Sequence, residues 1–402
     1  MEASHFDFDT PVDRRNTASE KWDRYKGRDI IPLWVADMDF RSPPAVLDAL
    51  HRRIDHGIFG YTAPSEALTA IAVSHLREQY QWTIDPAWLV WLPGLVCGLN
   101  VACRAVKEMG EEVLTFTPVY PPFLTAPVLS GCITRKVPLK LNGLRWEMDL
   151  EALERAITPK TKLLLFCNPH NPVGRAWTKK ELLDLAALCE RRDLILCSDE
   201  IHAGLILDAD KQHLPIAMVA PEIAGRTITL HAPSKTFNIP GLGCSLAVIQ
   251  DPDLRESFKR AMAGIVPQVN LLGFTATEAA YRSGEPWRRE LIQYLRGNRD
   301  LVLRAVGEMP GLSVAPVEAT YLAWIDSRAS GIRDPELFFE QAGVGLSDGA
   351  AFGLPGFVRL NFGCSRSLLA EALSRMQRSL NKKQDREPPD GVPREGKNLL
   401  DI

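Results

Sequence analysis

The chain has 402 residues, of which 46% are hydrophobic and 24% are charged, and its formal net charge is −3. A chain of this length exceeds the size of one ordinary hydrophobic core, so we expect a large domain and a smaller one. The near-neutral charge gives no basic stripe, which argues against nucleic acid as a main partner.

The N-terminal region, residues 1–45, is polar and proline-punctuated around the apolar stretch IIPLWVADMDF at 30–40. We predict that it forms an arm that packs with the small domain. The first residues lack the apolar segment of a signal peptide, and the longest apolar runs are too short to cross a bilayer. We therefore expect a cytoplasmic protein that binds no membrane.

Residues 46–284 are predicted to form the large domain, because apolar strand-like runs alternate there with helical patterns. The runs are WLVWLPG (88–94), EEVLTFTPVYPP (111–122), TRKVPL (134–139), TKLLLFCNP (161–169), DLILCSDE (193–200), RTITLHAPS (226–234) and CSLAVIQDP (244–252). Thr178 and Glu181 have the spacing of a capping box before one of the helices. Continuous apolar strands separated by helices predict an α/β fold with a mainly parallel central sheet flanked by helices.

Residues 285–380 mix amphipathic helices with short strands, which predicts a smaller α+β domain. The remaining segment, 381–402, is polar and proline-rich, and we predict that it is disordered. The eight cysteines are scattered and form no CxxC pair, so neither a disulfide framework nor a metal site is expected.

Polar residues follow several of the predicted strands, where ligands bind in parallel sheets. Gly94 stands between a strand and a helix, so backbone N–H groups at the helix start can face an anion. Asn168 and Asn171 follow a buried strand among prolines, a pattern that a simple turn also explains. Asp199 and Glu200 end an apolar strand, where a carboxylate needs a cationic partner.

Two basic residues complete this set. Lys235 follows the run RTITL, in the bendable loop HAPSKTFNIPGLG at 231–243. Arg359 lies in the late strand-like run VRLNFG, where an ordinary surface ion pair is the simpler interpretation. An amine, a carboxylate, an anion site, an asparagine amide and a guanidinium together suit a phosphorylated pyridine aldehyde and an amino acid.

Motifs along nearly the whole chain, from about residue 6 to 380, support one resemblance. They are DRRNTASEKWD, IPLWVADMDF, HGIFGYT, TPVYPPF, CNPHNPVGR, SDEIH, SKTFNIPGL and VRLNFGCSR. The chain resembles the fold-type-I pyridoxal-phosphate enzymes of the aminotransferase class I/II superfamily. Within them it is most similar to the cystathionine β-lyase branch of the MalY/PatB type, the C–S lyases.

The resemblance implies roles around the pyridine ring of pyridoxal 5′-phosphate. Lys235 forms the Schiff base with the cofactor and later moves protons at Cα of the substrate. Asp199 pairs with the pyridinium nitrogen, which makes the ring an electron sink. Tyr120 stacks on the ring, and Asn171 and His202 contact its 3′ oxygen.

The resemblance also implies the remaining contacts. The backbone at Gly94, Leu95 and Val96 holds the phosphate together with Ser234. Tyr61 reaches the phosphate of the neighbouring subunit, so a homodimer is implied. Arg359 binds the α-carboxylate of a small amino-acid substrate in a planar two-point contact, and Asn171 and Ala36 are further substrate contacts.

Three positions depart from the wider superfamily. Ala232 and Gly243 stand where many aminotransferases have a serine and an arginine for the phosphate, and His202 stands near a common tyrosine position. These departures favour a β-lyase of sulfur amino-acid metabolism, which converts L-cystathionine and related cysteine S-conjugates to pyruvate, ammonia and a thiol. An aminotransferase acting on a small amino acid is the alternative. A regulatory or binding protein without catalysis on this fold is a third possibility.

Overall fold

The computed structural model describes residues 6–385. The helices are α1 Glu20–Asp23, α2 Pro44–Asp55, α3 Glu66–Tyr80, α4 Leu95–Val106, α5 Pro122–Leu129, α6 Leu150–Ala156, α7 Lys179–Arg191, α8 Ile216–Val219, α9 Pro252–Met262, α10 Leu271–Ser283, α11 Glu285–Gly307, α12 Pro335–Gln341 and α13 Arg366–Gln384. The strands are β1 Ile31–Pro32, β2 Leu89–Leu92, β3 Glu112–Thr117, β4 Ile133–Pro138, β5 Lys140–Asn142, β6 Arg145–Glu147, β7 Thr161–Cys167, β8 Ile195–Asp199, β9 Thr227–His231, β10 Ser245–Ile249, β11 Ser313–Val314, β12 Leu322–Asp326, β13 Val344–Gly345, β14 Ser347–Asp348 and β15 Phe357–Asn361.

A seven-stranded sheet forms the centre of the molecule, in the order β2-β10-β9-β8-β7-β3-β4. The neighbours from β9 to β4 are parallel, and β10 is antiparallel to both β2 and β9. The predicted α/β fold with a mainly parallel sheet is therefore confirmed. The reversed direction of β10 was not predicted, because it is fully buried like the parallel strands and so has the same apolar pattern.

Helices cover both faces of this sheet, as the continuous apolar strands predict. In β7, Leu163 and Leu165 belong to the core under α4, α5 and α9. Leu164 and Phe166 point the other way, into the core under α6 and α7. Successive strand side chains alternate between the two faces, so each strand contributes to two cores.

A smaller antiparallel sheet, in the order β11-β12-β15-β14, packs with α11 and α13. The N-terminal arm joins it through β1, which pairs with β13, and through the N–H of Asn361, which donates to Leu33 O at 2.8 Å. The predicted boundary after residue 284 falls between α10 and α11. The tail predicted from 381 begins inside α13, which continues to Gln384, and most of it lies outside the described residues.

None of the helices within residues 6–385 combines the length and apolarity that a membrane span requires. All eight cysteines are free thiols, and Cys97, beside the start of α4, is half-buried while the others are buried.

The predicted capping box begins α7. The N–H of Glu181 donates to Thr178 Oγ1 at 3.3 Å, and the N–H of Thr178 donates to Glu181 Oε2 at 2.8 Å. We expect Thr178→Ala to lower the free energy of unfolding by about 1 kcal/mol, because a backbone donor at the helix start loses its acceptor. Urea unfolding followed by circular dichroism measures this, with Lys179→Ala, an exposed change one residue away, as the control. Equal losses in both variants would contradict the prediction.

Candidate active site

The predicted site residues lie along one edge of the central sheet, at the carboxyl ends of β7, β8 and β9. The strand register places Cys167 beside Asp199, and Asp199 beside Leu230. Asn171 and Lys235 follow four residues after the ends of β7 and β9. The parallel sheet therefore brings together residues that are far apart in the sequence.

Lys235 has its amine in a desolvated position beneath the N-terminal arm. Its Nζ donates a hydrogen bond to Ala36 O at 2.6 Å, and Tyr321 Oη donates to the same carbonyl at 2.9 Å. Burial lowers the pKa of Lys235 to about 8, an effect that Asp37 opposes and Arg359 reinforces. The amine can therefore lose its proton near neutral pH.

Asp199 is the buried acid of this edge. The N–H of Ile201 donates to Asp199 Oδ1 at 3.1 Å, and no basic side chain among residues 6–385 lies within ion-pair distance. Burial raises the pKa of Asp199 to about 6. A cation placed against this carboxylate would favour its ionised form.

Arg359 is a buried cation that lacks an anion. Its side chain comes from β15, and only 4% of the residue is exposed. Nη1 donates to Asn171 Oδ1 at 3.1 Å and Nη2 to Trp34 O at 2.8 Å, while Nε has no partner. Burial lowers the pKa of Arg359 to about 10. Arg359 makes no ion pair with any acidic side chain of residues 6–385, so the surface ion pair considered from the sequence is wrong.

His202 and Tyr120 lie close to these charges. His202 is buried, and its Nδ1 has no hydrogen-bond partner. Burial lowers the pKa of His202 to about 3, with smaller effects from Lys235 and Arg359, so the imidazole is neutral. The N–H of Tyr120 donates to Asn171 O at 3.1 Å, and burial raises the pKa of its hydroxyl. Both side chains offer neutral polar groups to a bound ligand.

The start of α4 provides backbone donors. Gly94 has no side chain to cap the helix, and the first intrahelical bond runs from the N–H of Gly98 to Gly94 O. The N–H groups of Leu95 and Val96 therefore have no acceptor within the helix, which suits an anion.

Gly243, which departs from the superfamily pattern, has a structural reason to be glycine. Ser234 and Tyr61 are the two remaining residues predicted to contact the phosphate. Gly243 has φ +56°, and a Cβ there would lie 3.1 Å from Pro93 O, so glycine fits where many relatives have arginine. Ser234 is half-buried in the same loop as Lys235. Tyr61 is 107% exposed, so its side chain makes almost no contact within its own protomer.

Glu200 has a different environment from its neighbour Asp199. Its Oε2 lies 2.6 Å from His213 Nε2 and 3.2 Å from His231 Nε2, and its Oε1 accepts from Ser198 Oγ at 2.9 Å. Burial disfavours the carboxylate, but His213 outweighs this and lowers the pKa of Glu200 to about 2. These three residues also have the donor set of a metal site, all within 4.8 Å, which the sequence interpretation did not foresee.

Sequence reasoning missed several residues that touch the predicted site. Besides Tyr321, these are Ser347, whose Oγ lies 3.4 Å from Arg359 Nη2, and Phe352, whose ring centroid lies 4.7 Å from the guanidinium carbon. A backbone carbonyl such as Trp34 O has no signal in the sequence. Tyr321, within ATYLAWID, could have been predicted as a contact residue, because the hydroxyl of a tyrosine at the start of a buried strand requires a polar partner.

Comparisons with known proteins agree with this geometry. A sequence profile of the family described as aminotransferase class I and II matches residues 28–376. Cystathionine beta-lyase PatB of Bacillus subtilis (strain 168) is 37% identical over 386 residues, which cover 93% of this chain and 100% of PatB.

Solved structures extend the comparison. The crystal structure of OvoB has a TM-score of 0.91 and 48% identity, and the match covers 93% of this chain and 99% of OvoB. Cystalysin from Treponema denticola, described as containing a pyridoxal 5′-phosphate cofactor, has a TM-score of 0.89 and 33% identity, with 94% and 99% covered. The chain therefore belongs to the aminotransferase class I and II family, in the MalY/PatB-type branch that its motifs predicted.

Proposed function

We propose that this protein is a pyridoxal-phosphate-dependent carbon–sulfur β-lyase. It converts L-cystathionine and related cysteine S-conjugates to pyruvate, ammonia and a thiol. The observation that carries the proposal is Arg359, a buried guanidinium without an acidic partner among residues 6–385, in the same site as Lys235 with its lowered pKa. This pair suits a substrate that carries a carboxylate and a removable proton at Cα.

The residues present fit the cofactor, pyridoxal 5′-phosphate. The uncapped start of α4 suits the phosphate, and Asp199 suits the ring nitrogen. The unpartnered Nδ1 of His202 and the amide of Asn171 offer donors to the ring oxygen. When bound here, the cofactor supplies a conjugated ring that accepts the electrons released at Cα.

Residues of the protein itself bind the substrate, move the proton and exclude water. Arg359 binds and orients the substrate carboxylate, with Asn171 next to it. Lys235 accepts the Cα proton, because burial lowers the pKa of its amine to about 8 and a substantial share of the amine is neutral near that pH. Asp199 keeps its negative charge against a protonated ring nitrogen. The arm around Ala36 covers the amine and excludes water from it.

β-Elimination is favoured over amino transfer by the relatives and by the phosphate site. PatB, which matches over its whole length, is named a cystathionine beta-lyase. Gly243 replaces the arginine that many aminotransferases use for the phosphate. Once the Cα proton is removed, a sulfur substituent on Cβ leaves as a thiolate, whose charge is stable in water.

A homodimer is part of the proposal. Several exposed apolar side chains, a kind of residue that commonly marks protein interfaces, are close to Tyr61 in the sequence or on the two helices that follow β2 and β3. They are Ile58, Phe59, Val96, Val128 and Leu129. A second copy that covers this surface would give Tyr61 a phosphate to contact. The division into an arm, a large domain and a small domain at residues 45 and 284 stays a prediction as well.

The reaction type can be tested by product analysis. Holoenzyme is given L-cystathionine without an oxo acid, and pyruvate and free thiol are measured together. We expect equal amounts of pyruvate and thiol over many turnovers. Absence of pyruvate from cystathionine and from S-alkyl cysteines, with amino transfer once an oxo acid is added, would replace the lyase by an aminotransferase.

The lowered pKa of Lys235 gives a prediction about pH. The neutral amine is the reactive form, and its share increases as the pH rises through the pKa, about 8. We expect the apoprotein to capture added pyridoxal phosphate faster as the pH rises through this value, with a plateau above it. Stopped-flow absorbance measures the rate. A rate that keeps rising to the ordinary lysine pKa of about 10.4 would show that the amine is not desolvated.

A further inference from the structure

The segment Trp34–Phe40, here called the arm segment, contacts both cations of the site through its backbone. Ala36 O accepts hydrogen bonds from Lys235 Nζ and Tyr321 Oη. Trp34 O accepts from Arg359 Nη2. The position of the arm segment therefore sets the orientation of the amine and of the guanidinium.

Two acidic residues of the arm segment, Asp37 and Asp39, form an ion-pair cluster with Arg14 and Lys21, and we call these four residues the arm clamp. Arg14 donates to both oxygens of Asp37, at 3.1 and 2.6 Å, and to Asp39 Oδ1 at 2.7 Å. Lys21, 0% exposed, has its Nζ 2.7 Å from Asp39 Oδ2 and 3.7 Å from Asp37 Oδ1. Two cations and two carboxylates balance in charge.

Stability alone does not account for such a cluster. Apolar side chains of similar volume commonly stabilise a fold as well as buried ion pairs do, because charges lose hydration on burial. The placement of Asp37 suggests another role, since it follows Ala36 directly and so adjoins the acceptor of the Lys235 amine. Among the charged groups, Asp37 is the strongest influence on the pKa of Lys235, and it raises it.

Other titratable groups also face the amine. Asp199 raises the pKa of Lys235 and Arg359 lowers it. The neutral imidazole of His202 and the hydroxyl of Tyr321 lie on the same side. Asp37 itself is faced by Arg14 and Lys21. Tyr120 is also close to these charges: Arg359 lowers the pKa of its hydroxyl and Asp199 raises it.

We propose that Asp37 is a positioning residue for Lys235: the arm clamp fixes its negative charge beside the lysine nitrogen and holds the Ala36 carbonyl as the acceptor. The inference rests on the proposed function only in requiring pyridoxal phosphate on Lys235. Arg14 and Lys21 act through Asp37, and neither touches the amine.

The test is an absorbance titration of the holoenzyme, in which the band of the cofactor–Lys235 adduct changes as its nitrogen loses a proton. We expect Asp37→Asn to move the midpoint to lower pH by about 0.5–1 unit, because a charge that favours the protonated nitrogen is lost. A merely loosened arm would admit water and move the midpoint to higher pH. The direction in which the midpoint moves therefore separates an electrostatic role of Asp37 from a purely structural one.

Two variants complete the test. Asp37→Glu keeps the charge, and we expect its midpoint to stay at the wild-type value. Arg15→Ala is the matched control, because Arg15 is the neighbour of Arg14 and, within the described part of the chain, forms its ion pair with the exposed Asp13. If Asp37→Asn does not fold, Asp37→Ser removes the same charge and should also lower the midpoint.

The outcomes are distinct. An unchanged or raised midpoint in the variant that removes the Asp37 charge, or an equal decrease in Asp37→Glu, would overturn the inference. A wild-type protein that forms no absorbing adduct would instead overturn the proposed function. Lyase activity is not used as the readout, so the two failures cannot be confused.

Discussion

Lys235→Ala is expected to lower kcat for pyruvate formation from L-cystathionine by about 10⁴-fold or more, because the group that accepts the Cα proton is removed. The amine is desolvated and hydrogen-bonded to Ala36 O, so it is already held in the site that the substrate would enter. Initial rates of pyruvate formation under saturating substrate measure the effect. A small added primary amine should restore part of the activity, since it can accept the proton in the space that the side chain leaves.

The matched control is Lys259→Ala. Lys259 lies on α9 and is half-exposed beside Glu256, with no contact to the site. We expect unchanged kinetics for this variant. A Lys235→Ala protein that retains more than about a tenth of the wild-type kcat would exclude Lys235 as the general base.

Arg359→Met is expected to lower kcat/KM by about 10³-fold, which corresponds to about 4 kcal/mol of lost transition-state binding. The substrate carboxylate would enter a buried site without its cationic partner. The fold should persist, because removal of Arg359 leaves no buried carboxylate unpaired. The kcat/KM of Arg359→Lys should lie between those of the wild type and of Arg359→Met, since lysine keeps the charge but not the two-point contact.

Arg328→Met is the control for this prediction. Arg328 follows β12 of the same small sheet and pairs with Asp326 at the surface. Its kinetics should match those of the wild type. If Arg359→Met keeps kcat/KM within about threefold of wild type, the carboxylate is bound elsewhere.

The sequence predicts a large part of the site because the site is built on a parallel sheet. Asp199, Asn171 and Lys235 each follow an apolar run, and parallel strands bring their carboxyl ends to one edge. The anion site at Gly94 can also be predicted, because Gly94 stands between a strand and the start of a helix. Their catalytic and binding roles remain predictions.

Other features could not be predicted from local patterns. The partners of Glu200 are His213, in the segment between β8 and α8, and His231, the last residue of β9, and only the tertiary structure brings them together. The contact of Trp34 O with Arg359 spans 325 positions and uses a backbone atom. The helix α13 was predicted to end too early, because its polar last turn has the composition of the tail.

The contacts of the arm segment also bear on the order in which the protein matures during synthesis. The arm leaves the ribosome before its partners Lys235, Asn361 and Arg359, which follow roughly 200 to 320 residues later; at about 5–20 residues per second this is a delay of tens of seconds. During this time Leu33 and Met38, which are buried in the finished molecule, have no core to enter. We therefore expect the nascent chain to depend on chaperone protection of its N-terminus until β15 has emerged.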